Sequence, residues 1–353
     1  MVVSTKAPQH ILIIRLSAIG DVIMASAIIP AIKRTYPQAK ISWLVEPVAA
    51  DLLAENPLID NIIHLPRNEW RTLRKQRQYI PYLKSQLVFA KRLREHKFDW
   101  VLDMQGLVKS GIWAKVCRAE RRISLGGKEG SHLLVNEVVP RIADAPRIGS
   151  EYLDLAHYVD LKVADFSMSV PFNRDTQQSA QTMLSAAGVK GRYIAISPFT
   201  TRAQKHWITQ YWFELAQFLH QKYVLPIVIL GGPQDKQQAE AMLKQMPKST
   251  VNLAGQTRLL QAAAIIQQAS VLIGVDTGLT HLGISQKTPT IAIFGSTLPY
   301  SDTSQPNAHV LHHKMPCSPC RRHPTCGAKF DCMRAIQPQD VFALTEQWLK
   351  IGG

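Results

Sequence analysis

The residues of this 353-residue chain that could do chemistry stand where short apolar runs end. One run, Val271–Val275, is followed at once by Asp276, Thr277 and Gly278, with His281 five residues after the aspartate. A short apolar run, a polar turn and a helical pattern are typical of a strand–turn–helix unit. Such a unit places backbone N–H groups and the positive end of a helix at a sheet edge, where phosphate oxygens bind. A simple capped turn, with a packed histidine beside it, would give the same pattern.

Two other apolar runs in the second half of the chain also end in polar residues. Thr200, Thr201 and Lys205 follow the run YIAISPF and offer two hydroxyls and a cation. The run LPIVILGG is followed by Asp235, which could accept hydrogen bonds from a ribose. Because Asp276 would repel phosphate, we expect it to face sugar hydroxyls. Together the three strand ends predict a site for a nucleotide-sugar.

In the first half, one acidic residue stands at a similar position. Asp21 follows the run HILIIRL and the turn SAIGD, at the start of a helical pattern from about residue 22 to 36. A carboxylate there can cap free N–H groups of the helix. The carboxyl end of a strand is also where open α/β sheets place their chemistry. The turn lacks the G-x-G-x-x-G pattern, which argues against a dinucleotide-dependent oxidoreductase.

The formal charge of +15 is concentrated in part in one segment. Residues 61–97 contain ten Lys or Arg against two Glu, and Arg67, Arg71 and Arg74 are spaced to share a helix face. Such a patch suits a phosphorylated substrate, an anionic membrane surface or nucleic acid, or it is a solvated helix face. No RNP, KH or zinc-finger pattern is present, and only Trp70 and Tyr79 interleave with the charges, so we expect no nucleic-acid partner.

Four of the five cysteines lie close together near histidines, and these residue types bind zinc. Their spacing is too compressed for a two-knuckle zinc ribbon, so we expect unpaired thiols and no metal. The odd number of cysteines fits a reducing compartment. The cluster consists of Cys317, Cys320, Cys326 and Cys332.

Apolar runs alternate with helical patterns along the whole chain, which predicts an α/β protein with two Rossmann-like, doubly wound domains. We expect domains at 1–165 and 175–353, a linker at 163–173, and a last helix near 339–350 that could pack back on the N-terminal domain. No run reaches 18 apolar residues, and the first apolar stretch is too short for a signal peptide. We therefore expect a cytoplasmic protein.

Several segments, in order and spacing, resemble the family 9 glycosyltransferases, the ADP-heptose:lipopolysaccharide heptosyltransferases and their relatives, over essentially the whole chain. The branch of heptosyltransferase I and OpsX is the most similar. The resemblance implies the GT-B architecture, in which two Rossmann-like domains face a cleft, the first binding acceptor and the second nucleotide-sugar. It implies an ADP-sugar donor and no cofactor; the absence of a D-x-D motif agrees with metal-independent transfer. The segments are RLSAIGDVIMASAIIPAIK, WLVE, LDMQGLVKSG, PFTTRAQKHW and GVDTGLTHLG.

Residue by residue, the resemblance implies a catalytic role for two side chains. Asp21 matches the base that deprotonates the acceptor hydroxyl in an inverting transfer, and Lys205 offsets charge on the departing ADP. The donor-binding set it implies is Thr200, Thr201, Lys205, Asp235, Thr257 near adenine, Asp276, Thr277, Gly278 and His281. The acceptor-binding set it implies is Arg15, Ser17, Arg67, Arg71, Arg74, Lys75, Lys109 and Arg121.

The function that follows is transfer of heptose from ADP-heptose to the lipopolysaccharide inner core, either Kdo-lipid A or an inner-core sugar. The basic side chains would pair with acceptor carboxylates and phosphates, and part of that face could dock on the anionic inner membrane. We therefore expect a peripheral protein on its cytoplasmic face. A relative with another nucleotide-sugar or acceptor is the alternative, since few pocket residues choose the sugar. A basic nucleic-acid-binding protein is a remote one.

Overall fold

The structure is a computed structural model that describes residues 7–142, 146–297, 299–320 and 323–350. Its contacts divide the chain into unit 1, Met1–Ala145 with Gly149–Pro171, and unit 2, Pro146–Ile148 with Phe172–Gly353. The boundary between Pro171 and Phe172 lies inside the predicted linker.

Unit 1 contains a parallel sheet of six strands in the order β3-β2-β1-β4-β5-β6. The central strands are buried on both faces, which explains why they are continuous apolar runs in the sequence. The strands are β1 His10–Ile14, β2 Lys40–Val45, β3 Asn61–His64, β4 Trp100–Asp103, β5 Arg121–Leu125 and β6 Glu137–Val139. The helices are α1 Ile19–Ala25, α2 Ile28–Thr35, α3 Pro47–Ala50, α4 Arg67–Lys75, α5 Tyr79–Glu95, α6 Val108–Val116 and α7 Ser150–Tyr158.

Unit 2 contains a second parallel sheet of six strands, in the order β12-β11-β10-β7-β8-β9. Counted from each unit's first strand, the two orders are the same. The strands are β7 Ile194–Ser197, β8 Ile227–Ile229, β9 Thr250–Asn252, β10 Val271–Val275, β11 Thr290–Phe294 and β12 Ala308–His312. The helices are α8 Arg174–Ala186, α9 Thr209–Tyr223, α10 Lys236–Leu243, α11 Leu259–Gln268, α12 Gly278–Ser285, α13 Asp331–Arg334 and α14 Pro338–Leu349.

These sheets confirm the prediction of two Rossmann-like, doubly wound α/β domains. The last helix, α14, packs on α9, β10 and β11 of its own unit. None of the helices in the described part of the chain is long and apolar enough to cross a membrane.

The single helix expected near residues 22–36 is instead two helices, α1 and α2. The break lies at Ser26 and Ala27, four residues before Pro30. Proline has no N–H for the carbonyl of residue 26, and its ring would clash there, so the first helix ends. The interruption keeps α1 short and leaves Asp21 in its first turn.

Candidate active site

The carboxyl edge of the unit 2 sheet gathers charged and hydroxyl side chains around Asp276. Strands β7 and β10 are neighbours, so the turns that follow them meet. Lys205 Nζ lies 2.5 Å from Asp276 Oδ2, and the Thr297 hydroxyl donates to the same oxygen at 2.5 Å. His281 Nε2 lies 3.8 Å from Oδ1, and Tyr300 OH is 3.1 Å from His281 Nδ1. This group of five residues is the Asp276 cluster.

The ion pair decides the charge of Asp276, which is 9% exposed. Burial alone would raise the pKa of this carboxyl, but the charges of Lys205 and His281 and two hydrogen bonds hold the pKa below its ordinary value. Burial and the nearby Asp276 charge raise the pKa of Tyr300 well above its ordinary value. The site therefore holds a carboxylate and a cation together. The sequence did not predict this direct contact between Lys205 and Asp276.

Helix α12 begins directly beside this cluster, with Thr277 as its N-cap residue in an extended backbone conformation. No side-chain hydrogen bond caps this helix start within the described residues, so its first N–H groups point to the sheet edge. Gly274 allows the close packing of the turn, because a Cβ there would lie 2.2 Å from Ser197 Oγ and 2.3 Å from Thr280 Oγ1. The N–H groups at Thr277 and Gly278 thus form a site suited to an anion.

The remaining predicted donor residues lie at the same sheet edge, outside the cluster. Thr200 accepts a hydrogen bond at its carbonyl from His206, and Thr201 is exposed. Asp235 follows β8 and accepts the N–H of Gly232 at 2.8 Å; burial raises the pKa of this carboxyl. The structure therefore gives Asp235 a capping contact, while Thr257 follows β9 and is half-buried.

At the carboxyl edge of the unit 1 sheet, Asp21 forms an ion pair with Arg15. Arg15 Nη2 lies 2.7 Å from Asp21 Oδ2, and the same oxygen accepts the N–H of Ala18 at 3.0 Å. Asp21 is partly exposed, whereas Arg15 is 6% exposed and donates from Nη1 to the Met104 carbonyl at 2.8 Å. Ser17 lies between them in the chain and is half-buried.

Arg15 is buried, and its predicted contact with the acceptor stays a prediction. Its guanidinium is paired with Asp21 and lies 5.8 Å from the centre of the Tyr152 ring. Burial would lower the pKa of Arg15, but its interactions with Tyr152 and with the carboxylates of Asp21 and Glu151 raise it above its ordinary value. Arg15 is therefore a fixed cation that orients Asp21.

A cavity of about 810 Å³ in unit 1 is lined by five of the predicted acceptor residues. It reaches Leu16, which precedes the Asp21 turn, and includes Glu46, Ile112 and the aromatic residues Trp70, Tyr79, Tyr82 and Trp113. Its cationic lining consists of Arg67, Arg71, Arg74, Lys75 and Lys109.

The lining of this cavity combines aromatic and charged side chains. Trp70 stacks on Trp113 with ring centres 5.3 Å apart, and the Trp70 N–H donates to Ser85 at 2.9 Å. Glu46 binds Arg67 at 2.6 Å. Burial, and next the Arg67 charge, lower the pKa of Lys109 from its ordinary value. With five cations and one carboxylate on its lining, the cavity suits an anionic ligand with an apolar or planar face.

Arg121 does not line this cavity, and its predicted role in acceptor binding stays a prediction. It is the first residue of β5 and lies at the edge of the sheet opposite the Asp21 turn. Its Nε and Nη2 donate to Glu137 at 2.8 and 2.6 Å, and its guanidinium lies 4.7 Å from the Trp100 ring centre. These contacts make Arg121 a structural residue of the far edge.

The cysteines have no disulfide partners in the described residues, and no described group of three His, Cys, Asp or Glu could hold a metal ion. Burial and neighbouring cysteines raise the pKa of Cys332, which is buried, and of Cys320. Burial raises the pKa of Cys117, which directly follows α6, to about 12.

Two doubly wound units, one with a basic cavity and one with a helix start suited to an anion, define an α/β protein of the two-Rossmann-domain class. The chain belongs to glycosyltransferase family 9 (heptosyltransferase), whose sequence pattern matches residues 87–329, and it is therefore a glycosyltransferase.

Known proteins similar to this chain agree with that assignment. The lipopolysaccharide core heptosyltransferase OpsX of Haemophilus influenzae is 27% identical over 310 residues, which cover 84% of each chain. The glycosyl transferase of family 9 from Veillonella parvula superposes with a TM-score of 0.79, at 19% identity and 98% coverage of both chains. The Escherichia coli heptosyltransferase WaaC with ADP-2-deoxy-2-fluoro heptose gives a TM-score of 0.70, at 21% identity and 98% and 100% coverage. The GT-B fold prediction is thereby confirmed.

Sequence reasoning missed several residues that the structure brings to the sites. Thr297 and Tyr300 join the Asp276 cluster from the segment after β11, and Glu46 joins the cavity from the end of β2. Trp113 could have been found, since it lies one helical turn after Lys109 in α6.

Proposed function

We propose that this protein is an inverting glycosyltransferase that moves heptose from ADP-heptose to the lipopolysaccharide inner core. The observation that carries the proposal is the basic cavity of unit 1, which reaches Leu16 at the start of the Asp21 turn. An acceptor with several carboxylates and phosphates would pair with its cations. Its hydroxyl could then lie near Asp21.

In this proposal Asp21 is the general base. Its carboxylate accepts the proton of the acceptor hydroxyl while the hydroxyl oxygen attacks the anomeric carbon of the donor sugar. The bond from that carbon to the β-phosphate oxygen breaks on the opposite face, so the configuration inverts and ADP leaves. The 2.7 Å ion pair with Arg15 fixes the orientation of this carboxylate.

The donor would occupy the carboxyl edge of unit 2. The N–H groups at the start of α12 bind the diphosphate, with Thr200 and Thr201 beside them. Lys205 exchanges Asp276 for phosphate, and so offsets the charge that develops on departing ADP. Asp276 keeps its bond from Thr297 and accepts hydrogen bonds from sugar hydroxyls. Positive charge then comes from a lysine and a helix end, so we propose transfer without a metal ion.

The experiment that tests the function follows ADP release with ADP-heptose and a panel of truncated lipopolysaccharide acceptors. We expect release with one inner-core acceptor, unchanged by EDTA. If ADP is released only from another ADP-sugar, that sugar and not heptose is the one transferred. If no combination of donor and acceptor releases ADP, the proposal is overturned. Loss of activity in EDTA, restored by a divalent ion, would overturn metal independence alone.

A further inference from the structure

The outward face of α5 carries large apolar side chains that no part of unit 1 covers among the described residues. Ile80 is 82% exposed, Leu83 55% and Leu87 71%. The opposite face of the same helix is normal core, because Leu93 is buried and Phe89 packs on Trp70 and Trp113. The helix is therefore apolar on two sides, only one of which the protein itself buries.

The exposed apolar residues form one stripe with two lysines. At 100° per residue, Ile80, Leu83 and Leu87 fall within an arc of about 60°, and Lys84 and Lys91 extend it to about 100°. Both lysines are exposed. We call these five residues the α5 outer face. The two lysines lie at one border of the apolar arc, and apolar residues bordered by basic ones are typical of helices that lie in a membrane interface.

We propose that the α5 outer face docks on an anionic phospholipid bilayer. The occupant follows from charge: the segment 61–97 carries ten cations against two glutamates, and an anionic leaflet attracts such a segment. A protein partner of ordinary composition would leave Lys84 and Lys91 to be buried in an apolar interface, whereas at a bilayer their ammonium groups reach the headgroups.

The position of the face supports the same occupant. Tyr79 begins α5 and lines the basic cavity, one residue before Ile80. The mouth of the cavity would thus lie at the lipid surface, where an acceptor anchored by acyl chains presents its sugars. In this respect the inference deepens the proposed function, but docking itself requires neither donor nor acceptor.

The test measures binding to vesicles without any substrate. Full-length protein is sedimented with vesicles of phosphatidylcholine alone or with phosphatidylglycerol added, and compared with the variant I80S/L83S/L87S. We expect binding to the anionic vesicles and a loss of at least about tenfold in the partition constant of the variant. K84Q/K91Q should lose less, about threefold, and its loss should shrink in high salt.

Matched controls separate this face from general surface effects. L133S/I142S/V224S removes three equally exposed apolar side chains from scattered positions, and K244Q/K248Q removes two exposed lysines of unit 2. Both should bind vesicles like the wild type. Circular dichroism checks that every variant is folded, which is expected because all the changed side chains are exposed.

Two results would overturn the inference. One is wild-type vesicle binding by I80S/L83S/L87S. The other is a self-associating wild type whose oligomer is lost in that variant, since the stripe would then bind a second copy. Transfer to a water-soluble truncated acceptor should be unchanged in I80S/L83S/L87S. If the protein binds vesicles through this face but transfers no sugar, the docking surface is supported and the proposed function is overturned.

Discussion

The two units have the same strand order, yet the buried acids at the end of their fourth strands behave in opposite ways. Asp103, at the end of β4, accepts the Ser110 hydroxyl at 3.0 Å and the N–H groups of Gln105 and Gly106 at 3.1 and 3.2 Å. Burial raises the pKa of this carboxyl. Asp276, directly after β10, has Lys205 instead and a lowered pKa.

The difference originates in the turn after each unit's first strand. In unit 2 that turn supplies Lys205 to the acid of the neighbouring strand. In unit 1 the corresponding cation, Arg15, is already paired with Asp21, so Asp103 is satisfied by hydroxyl and backbone donors. The same topology therefore yields an acid held by hydroxyl and backbone donors in unit 1 and a buried ion pair in unit 2. Position at a sheet edge alone does not define a site.

The largest expected effect is loss of the base. Asp21→Asn removes the proton acceptor but keeps the volume and the N–H contact, so we expect kcat to fall by about 10²- to 10⁴-fold. Binding of ADP, measured by calorimetry, should be unchanged because the donor residues are in unit 2. ADP release with the best acceptor measures the loss.

The matched control for this variant is Asp175→Asn. Asp175 also lies in the first turn of a helix, α8, and is exposed. If Asp21 acts only through helix capping, both variants should lose a similar, small amount of stability and keep their turnover. Full turnover in Asp21→Asn would remove it from the mechanism.

The second comparison breaks the unit 2 ion pair. Lys205→Met leaves Asp276 buried without its cation, which should cost about 3 kcal/mol in the free energy of unfolding, measured with urea. The double variant K205M/D276N should recover part of that loss, since no buried charge is left alone. Asp103→Asn should cost about 1 kcal/mol or less, because an amide oxygen still accepts both N–H groups. Equal losses in Lys205→Met and the double variant would contradict a charge-based role.

A smaller effect is expected at the cavity of unit 1. Arg71→Ala/Arg74→Ala should raise the acceptor KM about tenfold at low salt, and less in high salt, with kcat nearly unchanged. The control Arg92→Ala/Lys115→Ala removes the same charge from exposed positions of unit 1 outside this cavity. If both variants raise KM equally, the effect belongs to the overall field and the cavity has no specific role.

The sequence predicted the elements whose burial produces a hydrophobic period or a continuous apolar run. It did not predict contacts between segments that are distant in the chain. Buried parallel strands are continuous apolar runs, so both sheets and the residues at their ends could be predicted. Strand β12 was missed because four of its five residues are only half-buried, so it is not a continuous apolar run. Arg121 was predicted from its charge and the resemblance, and its position at the start of β5 and its pairing with Glu137 were not foreseen. The partners of Asp276 and Asp21 could not be predicted, because Thr297 and Arg15 reach them through tertiary packing and not through a helical or strand period.

The smallest effect, and the most direct test of the contrast between the acids, is the pH dependence of stability. Because the folded pKa of Asp276 is lowered, its contribution to the free energy of unfolding is complete at pH values above its ordinary pKa of 3.8. That contribution is lost as the pH falls through the folded pKa. A raised pKa makes folding less favourable for Asp103 as pH increases from 3.8 through its folded pKa. Urea unfolding from about pH 3 to about pH 6 should therefore show the gap between wild type and Asp276→Asn narrowing in acid. The difference in the free energy of unfolding between wild type and Asp103→Asn should instead narrow as pH rises, by about 1.4 kcal/mol per unit of difference between the folded and unfolded pKa. Parallel profiles for the two variants would mean that the two buried acids share one charge state, and that the turn after the first strand does not set it.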